Sequence, residues 1–206
     1  MALNSNNMTQ HVPEQQTGGK IDSTAQAEFD NLEQAQQFYQ VARQRLLNIS
    51  NWGNICKVPL STFILTDETG QPLDREAREG DFVKIDIPGL GTKAGDGFDW
   101  VCIEKIAEET TPQYQLISLQ ARPTANPLHQ DEETAHFYTD ESTSTFQVKQ
   151  MGTIVTAEEH GRNEVPNTDT SSTIDNIRNT LVGWSARIGL SYPQWKSLVK
   201  GIIDNP

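Results

Sequence analysis

Cysteine is nearly absent from this 206-residue sequence, with only Cys56 and Cys102. A disulfide scaffold is therefore excluded, and two cysteines with no histidine pair nearby do not make a zinc site. Both stand in apolar company, "NICKV" and "DWVCIEKI", and read as buried thiols. Basic residues are also scarce, 16 against 28 acids, for a formal net charge of −12. A chain this acidic repels phosphate backbones and anionic lipid surfaces, so neither nucleic acid nor membrane is an expected partner. No apolar run approaches the roughly 20 residues that span a bilayer. A basic start followed by an apolar core is missing at the N-terminus, so no secretory signal is read and the expected location is cytoplasmic.

Motifs that would name a reaction are missing too. The stretch "PGLGTKAGDG" is dense in glycine, but Lys93 precedes Ala94 and Gly95, whereas a P-loop lysine follows its last glycine and opens a helix. Gly89, Gly91 and Ala94 only approach a dinucleotide fingerprint, and the residues that follow, "FDWVCIEKI", read as a strand. Asp96 and Asp99 would repel a phosphate. The stretch reads as a hairpin connection in which glycine supplies positive φ. His129, His136 and His160 lack ligand spacing, and the acidic run "HQDEETAHFYTDES" lacks a calcium-loop pattern, so no metal or other cofactor is expected. No nucleophile elbow and no recognisable Cys–His pair is present. The last helix has an obvious burial face, which argues against a DNA-reading helix pair.

What is present is a pattern of elements. Residues 1–22 hold almost no aliphatic side chains and read as a disordered polar tail, dispensable for stability, ahead of a single domain over 23–206. Ser23 and Gln26 have capping-box spacing and place a helix start there. Leu32, Ala35, Tyr39, Ala42, Leu46 and Ile49 form one helical stripe, widened by Phe29, Phe38 and Val41. Strand patterns follow at 60–67, 81–88, 98–106, 114–122, 135–140, 143–150 and 153–160, separated by turns, which predicts an antiparallel meander. Within 98–106, Phe98, Trp100 and Cys102 fall on one face and Val101 and Ile103 on the other. A second long helix is read through Ile174, Ile177, Leu181, Trp184 and Ile188. A last one carries Pro193 in its first turn and Trp195, Leu198, Val199 and Ile202 on its apolar face.

The fold class is thus α+β: a curved antiparallel sheet of six or seven strands packed with long N-terminal and C-terminal helices. Over residues 28–190 this layout resembles the helix-grip fold of START-like ligand-binding proteins, including a Trp-bearing break after the first helix, "NISNWGNI". That family opens with a strand ahead of its helices, where this sequence shows its polar tail. The run "EGDFVKIDIPG…DWVCIEKI" also looks like part of a small SH3-like β-barrel, the alternative architecture. The resemblance implies a pocket between the sheet and the C-terminal helix for an apolar small molecule, and binding more than catalysis. Trp100, His136, Tyr138, His160 and Arg162 are the candidate ligand-binding residues. The polar run "EEHGRNEVPN" reads as a loop leaving a strand, and its His160 and Arg162 would serve an enzyme as acid–base and carboxylate clamp. An acidic module docking onto another protein is the remaining reading.

Overall fold

The computed structural model describes residues 11–56, 61–86, 95–129, 134–167 and 193–204. Strand β1 (Gly19–Glu28) leads into helix α1 (Leu32–Leu47), a 3-10 turn and the short α2 (Trp52–Ile55). Six strands follow: β2 (Thr62–Thr66), β3 (Phe82–Asp86), β4 (Asp99–Thr110), β5 (Tyr114–Pro123), β6 (Thr143–Met151) and β7 (Ile154–Glu164). Residues 193–202 form a last helix, α3. All seven strands make one antiparallel sheet in the order β1-β7-β6-β5-β4-β3-β2. The sheet is open, with β1 and β2 at its edges, so the barrel alternative falls. Strand, two helices and a six-strand meander that returns beside the first strand is the helix-grip order. The second long helix, with Leu181 and Trp184, lies outside the described residues, as do Gly89, Gly91 and Lys93. No helix among the described residues is long and apolar enough to cross a membrane.

Two segments depart from the sequence reading. The first is residues 19–28, read as the end of a tail and the start of a helix. They pair along β7 from Glu28↔Ile154 to Gly19↔Glu164. The segment "STAQAE" alternates, and its small Ala25 and Ala27 pack against the core at the sheet edge. The helix starts only after Asn31, whose Oδ1 accepts from the Gln34 amide at 2.9 Å. The second is residues 135–140, which form no strand. The Tyr138 amide donates to His136 Nδ1 at 3.0 Å, and in place of a strand ladder the segment has a single isolated bridge, Tyr138↔Pro166. The glycine-rich stretch does end in a turn, with Asp96 and Gly97 both at positive φ.

The core lies on one face of the sheet. Ala35, Phe38, Tyr39, Ala42 and Leu46 of α1 are buried there, while Val41, read as part of the stripe, is exposed. α1 packs on β5, β6 and β7. Trp52 of α2 donates its indole N–H to the Leu46 carbonyl at 3.0 Å and lays its ring 4.8 Å from that of Phe146. α3 buries Leu198, Val199 and Ile202 as its stripe predicts. Its C-terminal carbonyls are capped from α1, because Arg45 Nη1 donates to the backbone oxygens of Gly201, Ile202 and Asp204. A Cβ at Gly201 would stand 2.1 Å from the Ile55 carbonyl oxygen, so only glycine lets α3 close onto α2.

Two outcomes are expected. Gly201→Ala forces backbone apart and should cost about 1–3 kcal/mol in a denaturant melt. Deleting residues 1–22, which removes the first positions of β1, should lower Tm by about 4 °C or more in a calorimetric scan.

Candidate functional site

On the core face, where α1 ends, the sheet leaves a cleft of about 930 Å3, its open mouth included. Its floor is made of inward side chains on adjacent strands: Ile103, Ala121 and Ser144 in one cross-strand row, and Val83 opposite Val101 beside them. One wall is aromatic. The rings of Trp52, Phe63, Phe146 and Trp195 form a cluster with centroids 4.8–6.1 Å apart. The opposite lip is the turn His136–Phe137–Tyr138, whose rings stack on one another. It is pinned to β4 and its neighbourhood by Trp100 N donating to Ala135 O and Ala135 N donating to Thr124 O. Polar groups gather toward β7 and the lip: Ser142, Thr143, Ser144, Glu164 and the Tyr138 hydroxyl, which donates to Glu164.

Glu164 reaches this face through a bulge. Between Gly19 and Ile21, β1 advances two residues while β7 advances three, from Glu164 to Gly161. The extra residue includes Asn163 at φ 55°, a conformation that asparagine tolerates. Simple alternation would leave Glu164 on the outer face with Glu158, His160 and Arg162. The bulge turns it instead onto the core face with Glu159 and Gly161. Its carboxyl then lies over Gly161: a Cβ there would stand 2.5 Å from Glu164 Oε1 and 3.5 Å from Glu159 Oε1.

Glu159 is fully buried, and neither carboxyl oxygen has a hydrogen-bond partner among the described residues. Its cross-strand neighbour Ser23, on the same face, has an equally unpartnered hydroxyl. Burial first, then the charges of Glu164 and Asp22, push the Glu159 carboxyl well above its ordinary 4.5, against a smaller pull from Arg162. Burial also raises Glu164, opposed by the Tyr138 hydrogen bond and the Arg162 charge.

Of the five residues expected to bind ligand, His136 and Tyr138 line the cleft. Trp100 does not. It alternates with the lining residues Asp99 and Val101, is buried on the other face, and has Lys84 beside its ring. His160 and Arg162 also lie away from the cleft. They stand on β7, not on a loop, and face outward. His160 Nδ1 lies 2.6 Å from Asp22 Oδ1 and its Nε2 3.0 Å from Glu158 Oε2. Arg162 donates to Asp22 and to the carbonyls of Ile21 and Gly161. Burial tends to raise the Asp22 carboxyl, but these hydrogen bonds and positive charges outweigh it and hold it low. The group thus ties β1 to β7. Sequence reasoning did not single out Glu164, which lines the cleft, or Glu159, buried beside it. The signal for Glu159 was there: Val155, Ala157 and Glu159 continue one period-2 face. Cys56 is buried and its thiol is pushed up to about 11 by burial.

No family model and no curated protein matches the chain. Among solved structures it is similar to a hypothetical protein of Helicobacter pylori, with 12% identity, 89% of this chain and 87% of that one covered, and a TM-score of 0.44. It is also similar to truncated norcoclaurine synthase of Thalictrum flavum (8% identity, 94% and 100% covered, TM-score 0.38). A third is the major latex-like protein 151 of Panax ginseng (13%, 85% and 99%, TM-score 0.32). At these scores and identities the likeness carries no argument about ligand or activity.

The raised Glu159 carboxyl sets a pH dependence. Above about pH 4.5 the unfolded chain ionises Glu159 while the folded chain still holds its proton, so stability falls as pH rises toward the raised value. Each pH unit in that window costs up to about 1.4 kcal/mol. Denaturant melts from acid to mildly alkaline pH should show this slope in the native protein and a flatter one in Glu159→Gln.

Proposed function

We propose that the protein is a non-enzymatic binding domain that takes an apolar small molecule into the cleft between the sheet, α2 and α3. The observation that carries this reading is the cleft itself. It has an aromatic and aliphatic lining, with polar groups gathered mainly toward its β7 side and lip. Aromatic walls supply contact area, and the few polar groups orient what enters. Binding is favoured over catalysis because His160 and Arg162, the residues best suited to acid–base and clamp roles, hold β1 to β7 outside the cleft.

Fluorescence titration with the neutral probe N-phenyl-1-naphthylamine tests the reading. Saturable enhancement is expected for the native protein. Ala121→Phe, which fills the floor, should weaken it about tenfold or more while the far-UV circular dichroism stays native. No saturable enhancement, or enhancement indifferent to Ala121→Phe, would sink the proposal.

A further inference from the structure

We infer that the cleft selects apolar ligands bearing a protonated amine, with the nitrogen held by Glu164 over Gly161 and Glu159 immediately behind it. The inference rests on the reading of the cleft as a small-molecule site and specifies what that site recognises. Three independent features converge on the same spot. Glu164 lines the cleft only because the β7 bulge turns it inward. Glu159, fully buried and without a hydrogen-bond partner among the described residues, is aimed at the same glycine gap. Gly161 has no side chain to separate the two carboxyls.

Among the described residues, the surrounding charges leave this acidic pair short of cations. Glu159 is faced by Glu164 on β7, and the charge of Asp22 on the outer face of β1 also acts on it. Asp99 of β4 and His136 of the lip also line the cleft. Arg162, whose charge acts on both glutamates, stands on the outer face and donates to Asp22 and two backbone carbonyls. Tyr138 brings a neutral donor to Glu164. An ammonium has three N–H donors and one positive charge, matching two acidic groups with acceptor capacity left. Without it, burial favours the protonated form of both carboxyls, most strongly at Glu159. With it, ionisation becomes favourable and protons leave as the amine enters. Carboxylate or phosphate ligands would meet like charge, and uncharged ones would gain no charge-assisted bond.

The test compares a matched pair of probes, 2-(2-naphthyl)ethylamine and 2-(2-naphthyl)ethanol, by calorimetric titration of the full chain at moderate salt. On the native protein the amine should bind about tenfold tighter or more than the alcohol, as a charge-assisted hydrogen bond implies. The preference should grow from about pH 5.5 to about pH 8, because protons compete for the carboxyls while the amine stays charged. Glu164→Gln should bring the amine-to-alcohol ratio close to one. Tyr138→Phe, a milder change, should alter the ratio with the fold intact. Glu33→Gln makes the same charge change at the exposed start of α1 and should keep the native ratio, which separates the site from the general attraction of an acidic protein. Equal binding of amine and alcohol to the native protein overturns the amine inference and leaves the apolar cleft standing. A preference that survives Glu164→Gln overturns it as well. Binding of neither probe overturns the cleft reading and the inference together.

Discussion

The length of α1 decides which part of the sheet is covered and which is left open. Its 16 residues give a rod of about 24 Å, enough to lie across β5, β6 and β7 but not to cover the whole of a seven-stranded sheet. Beyond its end the chain breaks at Asn48, makes a 3-10 turn and sets down α2. Trp52 fixes that corner, with its indole N–H on the last turn of α1 and its ring on Phe146 and Phe63. α3 comes in from the far end of the sequence, fitted to α2 by Gly201 and capped by Arg45 of α1. The core is therefore continuous under α1, α2 and α3, and the cleft is the part of the same sheet face that α1 does not reach, walled by Trp52 of α2 and Trp195 of α3.

Strand β7 is unusual in carrying charge on both faces. Outward, Glu158, His160 and Arg162 join Asp22 in a hydrogen-bonded group that zips β1 to its neighbour. Inward, Glu159 and Glu164 share the space over Gly161, with no ion pair of their own among the described residues. The first arrangement is a satisfied network, where each charged group has a partner. The second leaves a buried carboxyl unsatisfied, a costly arrangement unless something else in the molecule's working life answers it. A fold can contain such a group when the strands on either side are held firmly. Here β7 sits between β1 and β6 with ladder bonds on both edges.

Much of the fold was legible in the sequence, for physical reasons that differ by element. The α1 stripe and the α3 stripe were readable because each places apolar side chains at helical spacing over a face that is buried, apart from Leu32 and Val41 of α1. β2 to β6 were readable because turn residues separate alternating runs. β1 was not, because its inward residues are Ser23, Ala25 and Ala27, too small to register as an apolar face, while Ser23 and Gln26 imitate a helix cap. The end of β7 was hidden by "EEHGRNE", a run so polar that a loop is the natural reading. Only the continued pairing with β1 and β6 reveals it as strand. The lining of the candidate cleft was partly legible. His136 and Tyr138 sit on the lip, but Trp100, His160 and Arg162 fall on the wrong side of strands whose phase is set by Val101 and by Ala157.

The bulge links these observations. Without the extra residue, Glu164 would point outward, and the Tyr138 hydroxyl would lose its acceptor. A left-handed residue in a strand needs support, and Asn163 receives it from the segment ahead of β1. The amides of Gln16 and Thr17 donate to its Oδ1 at 2.7 and 3.2 Å, its own amide donates to the Gln15 side chain, and its Nδ2 reaches the Glu14 carbonyl. On the other side Ser142 Oγ donates to the Asn163 carbonyl, joining the bulge to the start of β6. Residues 14–17, polar and poor in apolar side chains, could not be ordered by burial. They are ordered by a strand irregularity whose exposed backbone and side-chain groups they satisfy. The same hydrogen bonds that settle this polar segment therefore also hold the turn of chain that aims Glu164 into the cleft, so the conformation of the N-terminal segment and the electrostatics of the site are one structural variable.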